Sequence, residues 1–131
     1  MKTRQIFEVV LPDDNCPVDD FICRLDDKTQ KKIGVQLETL QRRDCPLQPP
    51  MVKAFRLDRY KGLYELRTRL KKIMIRIIFF FDPDDNIILL HGFVKKQDRA
   101  TNQALETARA RRLALASKDA EVILRSQGGS L

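Results

Sequence analysis

The sequence lacks the compositional features of disordered, collagen-like and disulfide-rich proteins. Its 131 residues include no tryptophan, three cysteines, five glycines and six prolines, while 43% are hydrophobic and 33% are charged. The low glycine and proline content and the ample apolar fraction exclude collagen-like and disordered chains. A chain of this length buries about two thirds of its unfolded surface, so we expect one folded domain that needs no disulfide or metal.

Metal-ligand sets and long apolar runs are also absent. Cys16, Cys23 and Cys45 have no CxxC spacing, and His91 is the sole histidine, which argues against a zinc site or a disulfide framework. The longest apolar run, residues 73–81, is interrupted by Arg76 and is far shorter than the roughly 20 residues of a membrane-spanning helix. The N-terminal residues lack a signal-peptide pattern. We therefore expect a cytoplasmic protein with no membrane span, metal or cofactor.

Positive charge is what the sequence has in excess. The formal net charge is +7 and the isoelectric point is about 9.6. Residues 61–81 alone carry six basic side chains and one acidic one. Such a cluster is typical of a surface that binds phosphate or another polyanion, and a solvated basic face is the alternative.

The N-terminal part predicts one strand and two helices. Residues 5–11 are apolar and β-branched and lead into a proline and a turn, which indicates a strand. Pro17 suits a first helical turn, and apolar residues recur behind it at helical spacing. Asp26 and Asp27 are N-cap candidates for a second helix that ends near Arg43. A proline-rich loop then follows.

Three strands are predicted next. Residues 63–71 alternate between apolar side chains and a charged set that includes Glu65, Arg67 and Arg69. Lys71 and Lys72 form the turn into residues 73–81, which are so apolar that the strand must be covered on much of both faces. An Asp- and Pro-rich turn leads to a last strand over residues 87–96. The three strands predict an antiparallel meander.

The order of elements predicts an α+β domain over residues 1–116. It consists of the N-terminal strand, the helical hairpin, the meander and a C-terminal helix that Thr101 caps and that runs to Leu115. Residues 117–131 are a C-terminal tail, and its apolar positions are compatible with a further helix. We expect the helices to pack on one face of the sheet and the other face of the meander to be basic and concave.

Several common chemistries are excluded by the residue inventory. Nucleotide-binding glycine loops, a GxSxG serine motif and an HExxH zinc motif are absent, and one histidine cannot form a catalytic histidine pair. Catalysis by arginine and lysine side chains is the chemistry that the inventory still allows. RNA cleaves itself when its 2′-hydroxyl attacks the adjacent phosphate, so a protein need only align the backbone, stabilise negative charge and help to move protons. Guanidinium groups meet the first two needs.

Three stretches together resemble the RelE/ParE superfamily of bacterial and phage toxins, in particular its HigB-like, phage-derived branch. They are GLYELR (residues 62–67), IRIIFFF (75–81) and LLHGFVKK, which ends at Lys96. The resemblance in element order covers about residues 7–115. It implies a RelE-like fold and a toxin that cleaves messenger RNA, usually on the translating ribosome. It also implies a neighbouring helix-turn-helix antitoxin as partner.

The resemblance also suggests which residues carry the reaction. It assigns the backbone phosphate to Arg67 and the stabilisation of the transition state to Arg76 and Lys96. RelE-type toxins place a lysine or tyrosine for proton transfer where this chain has Glu65, so Glu65 is our hypothesis for the base; Arg76 as its structural ion-pair partner is the alternative. Further RNA contacts are expected from the remaining basic residues, namely Arg69, Lys71, Lys72, Lys95 and Arg99.

Two other functions stay open at this point. One is a ParE-type toxin that binds and blocks a topoisomerase without cleaving nucleic acid, and the other is an inactive RNA-binding relic. The basic residues of the meander favour the ribonuclease over the topoisomerase inhibitor. Because the last helix lacks a tyrosine, the inactive RNA-binding relic stays open as an alternative. We expect His91 to be a half-buried structural histidine and Tyr64 to pack in the core.

Overall fold

The computed structural model describes residues 3–95 and 98–125, and for residues 98–100 it describes the backbone only. The described residues form a mixed α+β fold with three α-helices and a six-stranded sheet. The elements are β1 (Ile6–Val10), α1 (Pro17–Cys23), α2 (Asp27–Gln41), β2 (Val52–Ala54), β3 (Tyr64–Arg69), β4 (Met74–Phe81), β5 (Ile87–Lys95), α3 (Asp98–Ala116) and β6 (Glu121–Leu124), with a single 3-10 turn at Asp58–Tyr60.

The sheet has the strand order β2-β3-β4-β5-β1-β6. β3, β4 and β5 form the predicted antiparallel meander, and β2 adds to its outer side. β1 lies parallel to β5 and antiparallel to β6, so the first and last strands of the described chain are neighbours. The sheet is therefore mixed, with the meander at one end and the β1–β6 pair at the other.

Local signals in the N-terminal half are confirmed. β1 lies within the predicted strand, and Pro17 begins α1. The Asp26 carboxylate caps α2 by accepting a hydrogen bond from the Thr29 N–H at 2.7 Å. Hydrogen bonding by the Thr29 side chain, first, and by this N–H lowers the pKa of Asp26. α2 ends at Gln41, close to the predicted end. These features follow from side chains that act on their own backbone.

Both faces of the sheet are covered, so the prediction of helices on one face was wrong. α1 and α2 pack on the face that carries Ile75, Ile77 and Phe79 of β4, which we call the hairpin side. α3 packs on the opposite face, the α3 side, against Ile78 and its neighbours on β5. The reason lies in β4 itself: apolar residues at both odd and even positions must be shielded from water on both faces. The expected open, basic and concave face is accordingly covered by α3 over its centre.

The end of the described chain is the second correction. Residues 121–124 form β6 and not the helix that the apolar pattern suggested. Val122 and Ile123 are β-branched and suit a strand, and β1 offers them an edge to pair with, from Phe7 opposite Leu124 to Val10 opposite Glu121. A short apolar run does not distinguish the two structures, and here the available partner decided.

Smaller corrections concern helix and loop boundaries. α3 begins at Asp98, so Thr101 lies inside the helix and is not its N-cap. No pattern in the sequence indicated β2, which pairs with β3 after the proline-rich loop. Gly92 of β5 permits the close approach of α1, because a Cβ atom at this position would lie 2.4 Å from the Phe21 ring.

Candidate nucleic-acid interface

The predicted basic residues of the meander lie on the α3 side of the sheet. Side chains alternate along a strand, so Glu65, Arg67 and Arg69 of β3 project to the side opposite Leu66 of the hairpin-side core. Across the sheet Arg67 lies directly opposite Arg76 of β4. Two guanidinium groups on facing positions repel each other unless an anion lies between them.

Glu65 supplies that anion. Its Oε1 accepts hydrogen bonds from Arg76 Nη1 and from Arg67 Nε, the latter at 3.2 Å. The side chains of Glu65 and Arg76 are 1% and 4% exposed, whereas that of Arg67 is 24% exposed. We call these three residues the Glu65 cluster. One carboxylate thus holds a buried arginine and a half-exposed arginine in fixed positions.

The Glu65 cluster is not fully satisfied. Glu65 Oε2 and Arg76 Nε are buried and have no hydrogen-bond partner among the described residues. A buried polar atom without a partner costs about 1–3 kcal/mol, and more when the group is charged. Such atoms are uncommon in folded proteins and each calls for a physical explanation, a catalytic role being one. The cluster is therefore the first candidate for a functional site on the α3 side.

The remaining predicted residues lie around the Glu65 cluster or outside the described chain. Arg69 is exposed at the end of β3, and Lys71 and Lys72 are exposed in the turn that follows. Lys95 ends β5 opposite Met74. Lys96 lies outside the described residues, and for Arg99 only the backbone, in α3, is described.

Sequence reasoning missed two residues of α2 that support this region from the hairpin side. The Gln36 amide donates to the Arg67 carbonyl at 2.8 Å and its Oε1 accepts from the Thr68 hydroxyl. Lys32, one turn earlier, donates to the Arg69 carbonyl at 2.5 Å. The i, i+4 spacing of the two residues placed them on one helix face, but nothing in the sequence showed that this face meets β3.

His91 occupies the half-buried structural position that we expected. Its ring lies parallel to the Phe93 ring, with 5.8 Å between the centroids, and Arg111 of α3 approaches Nδ1 at 3.0 Å. Burial and then the Arg111 charge lower the pKa of His91 to about 4. His91 is thus neutral near pH 7, accepts at Nδ1 and carries its proton on Nε2.

A second acidic residue of the α3 side, Glu106, is also bound to arginine. Its two carboxylate oxygens accept from Arg59 Nε and Nη2, each at 2.7 Å, and the Tyr60 hydroxyl donates to Oε2. We call these three residues the Glu106 cluster.

Tyr64 packs as predicted, since its ring stacks on Phe79 on the hairpin side. Both tyrosines of the chain are therefore engaged within the fold.

A cleft of the described chain lies elsewhere. Its volume is about 810 Å³, and it is lined by α1, α2 and the end of β6, including Ile33, Leu37 and Ile123. The candidate interface is instead a surface of cations around the Glu65 cluster. Among the described residues there is no group of three or more His, Cys, Asp or Glu that could hold a metal ion.

Comparison with family models assigns the chain to a family. The model of the family described as phage-derived protein Gp49-like (DUF891) matches residues 20–113. The chain belongs to the Gp49-like family. That family lies in the RelE/HigB toxin-like group, and no curated protein matches the chain.

The match covers most of this Gp49-like protein, including both glutamate clusters and the whole meander. β1 and β6 lie outside it.

No helix in the described part of the chain is long and apolar enough to span a membrane.

Proposed function

We propose that this Gp49-like protein is the toxin of a type II toxin–antitoxin pair and cleaves messenger RNA without a metal ion on the translating ribosome. The observation that carries the proposal is the Glu65 cluster, in which a half-exposed arginine is held beside exposed Arg69, Lys71 and Lys72. Membership of a toxin-like family supports it. The partners would be messenger RNA, the ribosome and a cognate helix-turn-helix antitoxin, all in the cytoplasm.

The geometry supports a division of labour between the two arginines. Glu65 binds Arg67 through Nε, which leaves the two Nη groups of Arg67 to grip phosphate oxygens as a fork. Arg76 lies opposite it on β4 and is buried, so it adds a positive charge in a region of low dielectric. Negative charge builds up on the phosphate when the RNA 2′-hydroxyl attacks it, and both cations oppose that charge. Lys96 would complete the set.

The role of Glu65 as the base remains a hypothesis. A general base must come within about 2.6–3.2 Å of the proton that it removes, and Glu65 is almost fully buried between two guanidinium groups. This arrangement favours a positioning role, in which the carboxylate orients Arg67 and Arg76.

The test of the proposal is the mapping of RNA 5′ ends after brief induction of the protein in cells. The wild type should create discrete new 5′ ends within coding regions, and Arg67→Ala should reduce them about 100-fold or more, because it removes a charged contact to the phosphate. Arg24→Ala, which removes an exposed arginine at the end of α1, is the matched control and should cleave like the wild type. Co-expression of the neighbouring gene product should relieve growth arrest.

Each other outcome points to one of the alternatives. Growth arrest without new 5′ ends would favour the ParE-type topoisomerase inhibitor. RNA binding with neither arrest nor cleavage would favour the relic. Equal loss of cleavage in Arg67→Ala and Arg24→Ala would contradict the assignment of the site.

A second variant, Glu65→Gln, separates the two roles of Glu65. If the carboxylate is the base, the variant should abolish cleavage at every pH. If it positions the arginines, cleavage should fall but keep the wild-type dependence on pH, because Gln still accepts a hydrogen bond from Arg67 and Arg76. Unchanged cleavage would contradict the base hypothesis.

A further inference from the structure

The outer edge of β6 is a free edge of the sheet among the described residues. β6 is the last strand in the sheet order, and Val122, Ile123 and Leu124 are 43%, 51% and 55% exposed. Exposed edge strands usually carry a central charge, a proline or a bulge that prevents pairing with another strand. β6 has none of these between Glu121 and Arg125, so it is suited to pair with a further strand.

One hydrogen bond establishes which backbone groups of β6 face outward. The Arg125 N–H donates to the Ile6 carbonyl of β1 at 2.8 Å. Because backbone groups point to alternate sides along a strand, those of Ile123 also face β1, whereas those of Val122 and Leu124 face away from the sheet. The outer edge thus offers two N–H donors and two carbonyl acceptors, spaced two residues apart.

We propose that β6 pairs with β6 of a second copy of this chain across a two-fold axis. In the antiparallel register centred on Ile123, Val122 of each copy exchanges both backbone hydrogen bonds with Leu124 of the other copy. All four outward groups of each copy are then paired. Two six-stranded sheets join into one continuous sheet.

Hydrogen-bond donors and acceptors that face each other across the proposed interface support a second copy as the partner. The same register places Glu121 of each copy directly opposite Arg125 of the other, on the hairpin side of the sheet. Arg125 is held in place by Glu8 at 2.8 Å and Asp19 at 2.9 Å. Both of these bonds use Nη1, so Nε and Nη2 can receive another carboxylate.

Apolar contacts favour the same register. Ile123 meets its own symmetry mate at the two-fold axis, where side chains of a non-hydrogen-bonded pair lie closest. Val122 and Leu124 pair on the α3 side. A register displaced by two residues would leave half of the outward groups unpaired and would separate Glu121 from Arg125. The strand order keeps the meander at the far end of each sheet, so the Glu65 clusters of the two copies would remain open to RNA.

The test measures the mass of the purified full-length protein in solution by light scattering or sedimentation from about 1 to 100 µM. We expect a reversible dimer. Glu121→Lys, which replaces the hydrogen-bond acceptor facing Arg125 of the second copy with a donor, should weaken dimerisation at least about tenfold. Leu124→Pro, which removes an outward N–H and leaves the pairing with β1 intact, should do the same. Leu113→Lys, at a residue of α3 that is 52% exposed, is the control and should dimerise normally.

Amide hydrogen exchange gives an independent readout that does not depend on variants. The Val122 and Leu124 amides should exchange more slowly as the protein concentration rises, whereas the Ile123 amide, which bonds to β1, should be slow throughout. A protein that is monomeric over the whole range would overturn the proposal. So would a dimer that neither edge variant weakens, or protection of Val122 and Leu124 that arises only when a different protein is added, which would assign the edge to that partner.

Discussion

The Glu65 cluster and the Glu106 cluster use the same chemistry in opposite surroundings. Both lie on the α3 side, and in each a glutamate accepts hydrogen bonds from arginine. The Glu106 side chain is 44% exposed and both of its oxygens are bonded. The Glu65 side chain is 1% exposed, and one of its oxygens has no partner among the described residues.

This difference in burial makes the Glu65 cluster the functional candidate, whereas the Glu106 cluster links two elements of the fold. The Glu106 cluster ties α3 to the 3-10 turn before β3, and water can solvate any bond that breaks. The Glu65 cluster has removed two arginines and a glutamate from much of their hydration, and such desolvation is often not recovered in stability.

The largest effect is expected from Arg76→Met. This change leaves Glu65 buried with Arg67 as its sole charged partner among the described residues. Removal of one member of a buried ion pair costs about 3–5 kcal/mol, so the free energy of unfolding from denaturant titration should fall by about 3 kcal/mol or more. A loss as small as that of an exposed ion pair would show that the Glu65 cluster is no more constrained than the Glu106 cluster.

The double variant Glu65→Met/Arg76→Met is the matched control for that prediction. It removes both charges together, and replacement of a buried ion pair by apolar side chains is often neutral or stabilising. Its unfolding free energy should therefore return toward the wild-type value, while RNA cleavage is lost. A double variant as unstable as Arg76→Met would mean that the ion pair itself stabilises the fold.

The smallest effect is expected from Glu106→Gln, and it should depend on pH. Arg59, first, and Tyr60 lower the pKa of Glu106 from 4.5 to about 2. A carboxylate with a lowered pKa stabilises the folded state above its unfolded-state pKa and loses this contribution as the pH falls through the folded value. The wild type should thus melt slightly higher than Glu106→Gln at pH 7, and the gap should narrow as the pH falls from 4.5 toward 2. A gap that is constant with pH would show that the carboxylate charge is not what binds the cluster together.

The sequence predicted features within single elements better than contacts between elements that are distant in the chain. The alternation of β3 put Glu65, Arg67 and Arg69 on one side, and the structure has them there. The ion pair between Glu65 and Arg76 was foreseen as an alternative and is present. The support of β3 by Lys32 and Gln36 was not foreseen, because it depends on how α2 docks and not on any pattern within either segment.

The sequence by itself determined the kind of most elements, because periodicity, caps and turns act within a few residues of the chain. It specified β1, the hairpin helices, the N-cap of α2, the meander and the position of its turns. The tertiary structure decided which face α3 covers, that the tail forms β6, and that β1 lies between β5 and β6. Those outcomes depend on contacts between residues far apart in the chain, where several pairings satisfy the same local pattern and the shared burial of apolar surface selects one.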